Sequence, residues 1–426
     1  MPKLTAVLIL TWGLLWPAMA TAAEDLAAKI AKYVDAFESP QKSVRDAAEK
    51  SLLDLGPAAL KLLPTLDDNA SGEARQRLTR VKQTLEQQSA VRSIDAATVT
   101  LHGKLPLADV LKAITQQTGN GVVDFRRQFG QQPQALKVDC NFEKVPFWQA
   151  LDRLLDDNQL AIYNHSGEEG LAVVNRAPNL LPRASAVHYS GAFRIAANEL
   201  LARRDLRDPA GHSLQVRVEA AWEPRLSPVV VLVPLSKVAA RDENARPLPL
   251  AQAKTELEFS IQPGARIVEL PLIFALPGRE SRKIATLSGE LTALVPGKAA
   301  EFRFTGLEKN QRTEQRHGSA TVTVDRVAKN NQIWQIFLRV TFDRGEGALE
   351  SHRQWILNNE AWLETSEGKK VPYAGLETTR QTDNEVGLAY LFGIDEPLAG
   401  YTFVYRTAST IARLPVKFEL KDLELP

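Results

Sequence analysis

The chain has 426 residues, 44% hydrophobic and 24% charged, with 52 Lys and Arg against 51 Asp and Glu. That balance excludes the basic excess by which a nucleic-acid binder displaces counterions, and equally an electrostatic binder of membrane surfaces. Roughly 100–200 residues per domain predicts a multidomain chain, and the single cysteine, Cys140, excludes an intramolecular disulfide and cysteine-based zinc sites.

Residues 1–23 read as a leader rather than part of a fold. A cationic start (Met1, Lys3) is followed by an apolar run from Leu4 to Trp16. Small residues come next, with the patterns Ala18-Met19-Ala20 and Ala20-Thr21-Ala22. This is the layout of a secretory signal peptide. The run is too short for a comfortable membrane span; an uncleaved anchor is the alternative. The expectation is export to the periplasm or the extracellular space, with no membrane span after signal cleavage.

Residues 24–90 read as helices. Leu26, Ile30, Val34 and Phe37 share one face, as do Val44, Ala48, Leu52 and Leu55, and then Ala74, Leu78, Val81 and Leu85. Ser39-Pro40 and Gly56-Pro57 punctuate them. The run VRDAAEKSLLDLGPAALKLLPTL, followed by EARQRLTRV, resembles the HEAT-like repeats near the start of many exported bacterial proteins, planctomycete ones among them. It covers about one and a half repeats, fewer than the three or so a solenoid needs, which implies a short helical adaptor or a segment packed on a neighbour.

Residues 95–177 carry a repeated phrase. KLPLADVLKAITQQTG begins at Lys104 and KVPFWQALDRLL at Lys144, each behind a strand-like run. The pattern predicts two β-α-β units, with Leu107, Val110, Leu111 and Ile114 as the first helix's buried stripe and Gly119-Asn120-Gly121 as its stop. Cys140, within the alternating LKVDCN, reads as a packing residue. The module resembles the short N-terminal domain of secretins and TonB-dependent receptors, through Pro106-Leu107, Val110-Leu111, Thr118-Gly119-Asn120, Ala150-Leu151, Leu154-Leu155, Leu160 and Tyr163. The resemblance implies a domain that forms rings, links envelope components or receives signalling partners. No barrel follows it, so pore function is not implied.

Residues 185–426 alternate like strands. Leu214, Val216, Val218, Ala220 and Trp222 fall on one face of SLQVRVEAAW, and Trp334, Ile336, Leu338, Val340 and Phe342 on one face of IWQIFLRVTF. Each segment closes with another alternating run, near 298–308 and near 416–424. Two antiparallel β-sandwiches are expected, over 185–308 and 319–426, joined by the polar KNQRTEQRHG. The fold class is α+β and multidomain: N-terminal α-helical hairpins, a βαββαβ module, and two C-terminal antiparallel β-sandwiches.

No zinc-protease helix, nucleophile elbow, P-loop or dinucleotide fingerprint occurs. Asp67-Asp68-Asn69, Asp242-Glu243-Asn244 and Asp383-Asn384-Glu385 offer oxygen ligands without EF-hand spacing; turn chemistry explains them equally. In LESHRQWILNNEAWLE, Arg353, Trp355 and His352 form a candidate ligand contact by Arg pairing and Trp stacking. The competing reading makes it a strand connection whose Trp355 and Trp362 plug the sandwich.

Trp148 and Phe147 form a candidate partner contact. Trp148 occupies the place that Ala108 holds in the first copy, at the edge of a stripe already supplied by Phe147, Leu151 and Leu154. A partly exposed Trp is a good anchor; alternatively it covers the loop at 126–134 or the preceding helices. In WEPRLSP, the prolines predict a bend out of the sheet, with a ligand role open for Arg225.

These features point to an exported, non-enzymatic modular protein that assembles with another envelope or secreted protein, using no cofactor, metal or nucleic acid. A binder of cell-wall or extracellular polymer, through exposed coplanar sandwich aromatics, is the alternative. A hydrolase with an unrecognised site comes third.

Overall fold

The computed structural model describes residues 16–64, 70–92, 94–132, 135–180, 186–208, 211–343, 349, 354–382 and 384–426. The chain is mixed α and β, mostly β, with several antiparallel sheets. It divides into two units, Met1–Ser89 and Ala90–Pro426.

The first unit holds α1 (Trp16–Asp35), α2 (Lys42–Asp54) and α3 (Gly72–Arg92). Ile30, Val34, Phe37, Ala48, Leu52, Ala74, Leu78, Val81 and Leu85 form its core, as their helical spacing requires. Val44 is 39% exposed, so the stripe of α2 begins one turn later than expected. Buried Arg77 ties α3 to α2, reaching Glu49 at 2.7 Å and Asp46 at 2.9 Å. Among the described residues no helix is long and apolar enough to cross a membrane.

The second unit opens with β1 (Thr98–Pro106), α4 (Leu107–Thr118), β2 (Val122–Asp124), β3 (Lys137–Pro146), α5 (Phe147–Asp157), β4 (Leu160–Tyr163) and β5 (Leu171–Asn175). These make two small sheets: β1 pairs with β3, and β5 lies between β2 and β4. The repeated phrase has a reciprocal physical role. Pro106 and Pro146 each end a strand and start a helix. The Leu107 N–H donates to the Leu136 carbonyl at 2.9 Å, and the Phe147 N–H donates to the Ala97 carbonyl at 2.7 Å. Each helix is thus started by backbone at the head of the other copy's strand.

Strands β6 (Val187–Ser190), β7 (Phe193–Arg203), β8 (Ser213–Trp222), β9 (Val230–Pro234), β10 (Ala239–Asp242), β11 (Pro247–Leu248), β12 (Glu256–Ser260), β13 (Ile267–Phe274) and β14 (Lys283–Pro296) follow. They form sheets ordered β13-β8-β7-β6 and β11-β10-β14-β9-β12, with one shared core. Next come β15 (Ala299–Phe304), β16 (Thr313–His317), β17 (Ala320–Asn330), β18 (Ile333–Phe342), β19 (Ala361–Glu364), β20 (Lys370–Pro372), β21 (Gly375–Gln381), β22 (Glu385–Gly393) and β23 (Thr402–Ala408). Their sheets, β15-β23-β19-β20 and β16-β17-β18-β22-β21, enclose a second core.

The last strand, β24 (Ile411–Glu424), does not close this second body. It pairs with β14 and buries its apolar face in the first core. Conversely β15, expected to close the first body, pairs with β23 in the second. The expected boundaries are therefore corrected: the two closing strands are exchanged. Residues 283–304 and 403–424 form one antiparallel ribbon in unbroken register, with Lys283 opposite Glu424, Pro296 opposite Ile411, Ala299 opposite Ala408 and Phe304 opposite Phe403. At the crossing the Gly297 N–H donates to the Thr410 carbonyl at 2.8 Å, and a Cβ on Gly297 would collide with the Thr410 hydroxyl.

A chain ending at Ser409 loses Leu414, Val416, Phe418, Leu420 and Leu423, all buried. At about 1.5–3 kcal/mol for each buried apolar side chain, the loss approaches the ~5–15 kcal/mol that holds a typical domain folded. The expected outcome is loss of the cooperative thermal transition of the first β body, followed by near-UV circular dichroism. A truncated chain melting within a few degrees of the full chain would contradict the exchange.

Candidate functional site

Helix α5 is buried on two faces where α4 is buried on one. Ala108 and Lys112 are exposed on α4; their equivalents on α5, Trp148 and Asp152, are buried. The expectation that Trp148 is partly exposed is corrected: it is 2% exposed, and Phe147 is fully buried beside it with the rings 5.2 Å apart. Neither can anchor an external partner. The surface Trp148 meets is the β6–β7 turn, where its indole N–H donates to the Ala192 carbonyl at 3.0 Å. The Arg194 guanidinium lies 4.7 Å from the centre of its ring. Arg194 bonds Asp152 at 2.9 Å and also Glu219, while the Tyr189 hydroxyl donates to Asp152 at 2.8 Å. Burial opposes the charge on Arg194, but Asp152 and Glu219 outweigh it and hold the guanidinium above its ordinary pKa.

A second joint lies at the exit of β8. Glu223 is fully buried and accepts from the Ala97 N–H at 2.9 Å, the Asn120 amide at 2.8 Å and the Arg225 Nε at 2.6 Å. Asn120 in turn accepts from the Arg225 N–H at 3.0 Å. Arg225, open to a ligand role in the sequence, is thus engaged in joining the module of β1–β5 to the first β body. Trp-Glu-Pro-Arg shows the bend but not the Asn120 and Ala97 partners of Glu223, which lie 103 and 126 residues away in the chain.

These joints leave a cleft of about 740 Å³ between the module and the β bodies. The module contributes Gly119, Gly121 and the hairpin Gly167–Gly170; the first body contributes Pro224, Ser227–Val229 and Ile261–Arg266; the second contributes Trp355 and Asn358. Glycine is required where the module's backbones touch: a Cβ on Gly170 would stand 2.5 Å from the Gly121 oxygen. Arg266, at the head of β13, lines this cleft and an adjoining hollow of about 240 Å³. Its Nη2 donates to the Glu169 carbonyl at 2.6 Å. Its Nη1 reaches the Ala265 carbonyl at 3.5 Å, and its Nε is sealed from solvent without an acceptor. Burial pushes the guanidinium below the ordinary arginine value, and the charge of Glu169 only partly offsets this. Nothing in the sequence around Arg266 marked it.

His352 and Arg353 lie outside the described residues. Trp355 is partly buried, its ring 6.0 Å from that of Phe342, and it separates the cleft from another hollow of about 240 Å³ lined by Asn358–Glu360 and Arg406. Trp222 and Trp362 are buried, so an exposed coplanar platform using them is ruled out. Asp67-Asp68-Asn69 and Asp383 also fall outside the described residues. Asp242 is a turn residue: its carboxylate accepts from the Asn244 and Arg246 N–H groups, the Arg246 guanidinium and the Ser281 hydroxyl. Burial works against its charge, yet these donors prevail and hold its pKa at about 2.

Two outcomes follow. Trp148→Ala is expected to cost about 3–5 kcal/mol in denaturant unfolding; a cost under about 1 kcal/mol would contradict its burial. The depressed pKa of Asp242 means its stabilisation is present above the unfolded carboxylate value near 3.8 and fades as pH falls toward 2. The stability gap between wild type and Asp242→Ala is therefore expected to be full at pH 6 and to shrink between pH 4 and 2. A gap that does not change over that range would refute the assignment.

No family model matches the chain, and no curated protein matches it. A solved structure, the crystal structure of the conserved domain protein from Bacillus anthracis, is similar at 8% identity over 56% of this chain and 90% of that one. Its TM-score is 0.18, too low to support an inference about fold or function.

Proposed function

We propose that the chain is an exported, non-enzymatic assembly protein of the cell envelope, and that its partner seats in the cleft between the βαββαβ module and the two β bodies. The observation that carries this reading is convergence. Residues from Gly119 to Asn358, drawn from the module and both bodies, face one space of about 740 Å³, a size typical of built binding sites. A segment lying there touches all three parts at once. The resemblance of residues 95–177 to the N-terminal domain of secretins supports an envelope role, and the layout of residues 1–23 supports export. A wall-polymer ligand is the competing reading, favoured by Trp355 between two hollows.

Gln262 is exposed and lines the cleft. Gln262→Trp is expected to fill the mouth of the cleft without disturbing the core. Cross-linking in the native envelope should capture a specific protein with the wild-type chain and lose it with this variant. Equal capture by both chains overturns the seat. Capture of wall polymer instead, lost with Trp355→Ala, overturns the protein partner in favour of the polymer.

A further inference from the structure

Arg266 is a cation without an ion partner among the described residues. Most buried or half-buried arginines in this unit are neutralised: Arg194 by Asp152 and Glu219, Arg126 by Asp124, Arg176 by Asp156. Arg266 instead holds only peptide carbonyls, those of Glu169 and Ala265, with Nε unsatisfied. A half-buried guanidinium left in this state is under-bonded, and an anion brought from the cleft to its Nη groups recovers a charge-assisted bond. The planar guanidinium is also the side chain best shaped for a carboxylate or phosphate.

We propose that Arg266 is an anion anchor of the cleft and takes a single carboxylate, carried by an extended peptide segment. This rests on the cleft being the seat of a partner. The choice of a carboxylate over a phosphate comes from the neighbours. Glu168 and Glu169 line the same cleft, and their side chains are exposed. Like charge on the lip penalises a phosphate dianion more than a monoanion. The choice of an extended segment comes from the walls. Gly167 and Gly170 on one side and Pro263 and Gly264 on the other present backbone with little side-chain bulk, the Glu168 and Glu169 side chains standing between the two glycines. The hollow on the far side of Arg266, lined by Tyr163, Asn164 and Ser166, extends that track. The Glu169 carbonyl that accepts from Nη2 and the Trp222 N–H that donates to the Arg266 carbonyl hold the guanidinium at this wall before any ligand arrives.

The test uses the full mature chain, its Arg266→Gln and Gln262→Trp variants, and sodium acetate and inorganic phosphate at matched ionic strength. Acetate is expected to raise the thermal midpoint of the wild type in a concentration-dependent way and to do so more than phosphate. Both variants are expected to lose that rise; Gln262→Trp keeps the Arg266 bonds, so it remains informative if Arg266→Gln unfolds. Short peptides then separate the sources. A free-acid peptide that binds roughly tenfold tighter than its C-terminal amide assigns a chain terminus, and an amide with an internal Asp that matches it assigns a side chain. An acetate response unchanged in both variants, or a larger response to phosphate, overturns the anchor. If Gln262→Trp loses the captured protein while acetate has no effect on the wild type, the anchor fails and the seat stands. If acetate acts through Arg266 but Gln262→Trp captures its partner normally, the seat fails and the anchor stands.

Discussion

The second unit depends on one ribbon. Residues 283–304 and 403–424 pair without a break in register, passing through both β bodies. Every other strand of these bodies is local to one of them; these two runs belong to both. Neither body can complete its core before the chain has been made almost to its end, because Leu414 to Leu423 fill the first core. Such long-range pairing is slow to form, since its loop entropy is lost before contacts return anything. Gly297, at the crossing, allows the close approach that keeps the ribbon continuous.

The module is joined to this framework by polar clamps as well as apolar contact. Ala221, from β8, packs in the module's own core. Arg194 with Asp152 and Glu219 are buried ionic groups, as is the Glu223 carboxylate, which is held by the Asn120 amide and the more open Arg225. Replacing such groups by apolar ones often costs nothing, so their main effect is on geometry. A carboxylate that must meet an N–H, an amide and a guanidinium tolerates one docking angle and rejects slipped ones. The hairpin at 167–170 and the loop at 261–266 line the cleft, and the Arg266 Nη2 bridges them by donating to the Glu169 carbonyl. Arg266 stands at this opening without an ion pair among the described residues, the charge of Glu169 offsetting its burial only in part, in contrast to the paired arginines of the clamps.

Much of the architecture was legible in the chain. Helical spacing marked Ile30, Val34, Ala48, Leu52 and Leu85, and the repeat at Lys104 and Lys144 marked two equivalent helices, because burial of one stripe imposes a period on sequence. The same comparison singled out Trp148 against Ala108. It held a further signal, Asp152 against Lys112, one helical turn on: two changes on one face announce a second buried surface. Taken singly, Trp148 reads as an exposed anchor; taken with Asp152, it reads as a face that meets a charged neighbour.

What the sequence determined by itself was periodicity: which residues lie on a helix stripe or an alternating strand, and where prolines and glycines interrupt them. Only the tertiary structure decided partnership. An alternating strand states which face is wet but not which strand lies beside it, so β15 and β24 read as closing their own bodies and close each other's instead. The Asn120 and Ala97 partners of Glu223 and the bond of Arg266 to the Glu169 carbonyl are likewise set by segments distant in the chain. Local pattern encodes burial, which each residue experiences individually, whereas pairing and clefts depend on which distant segments meet.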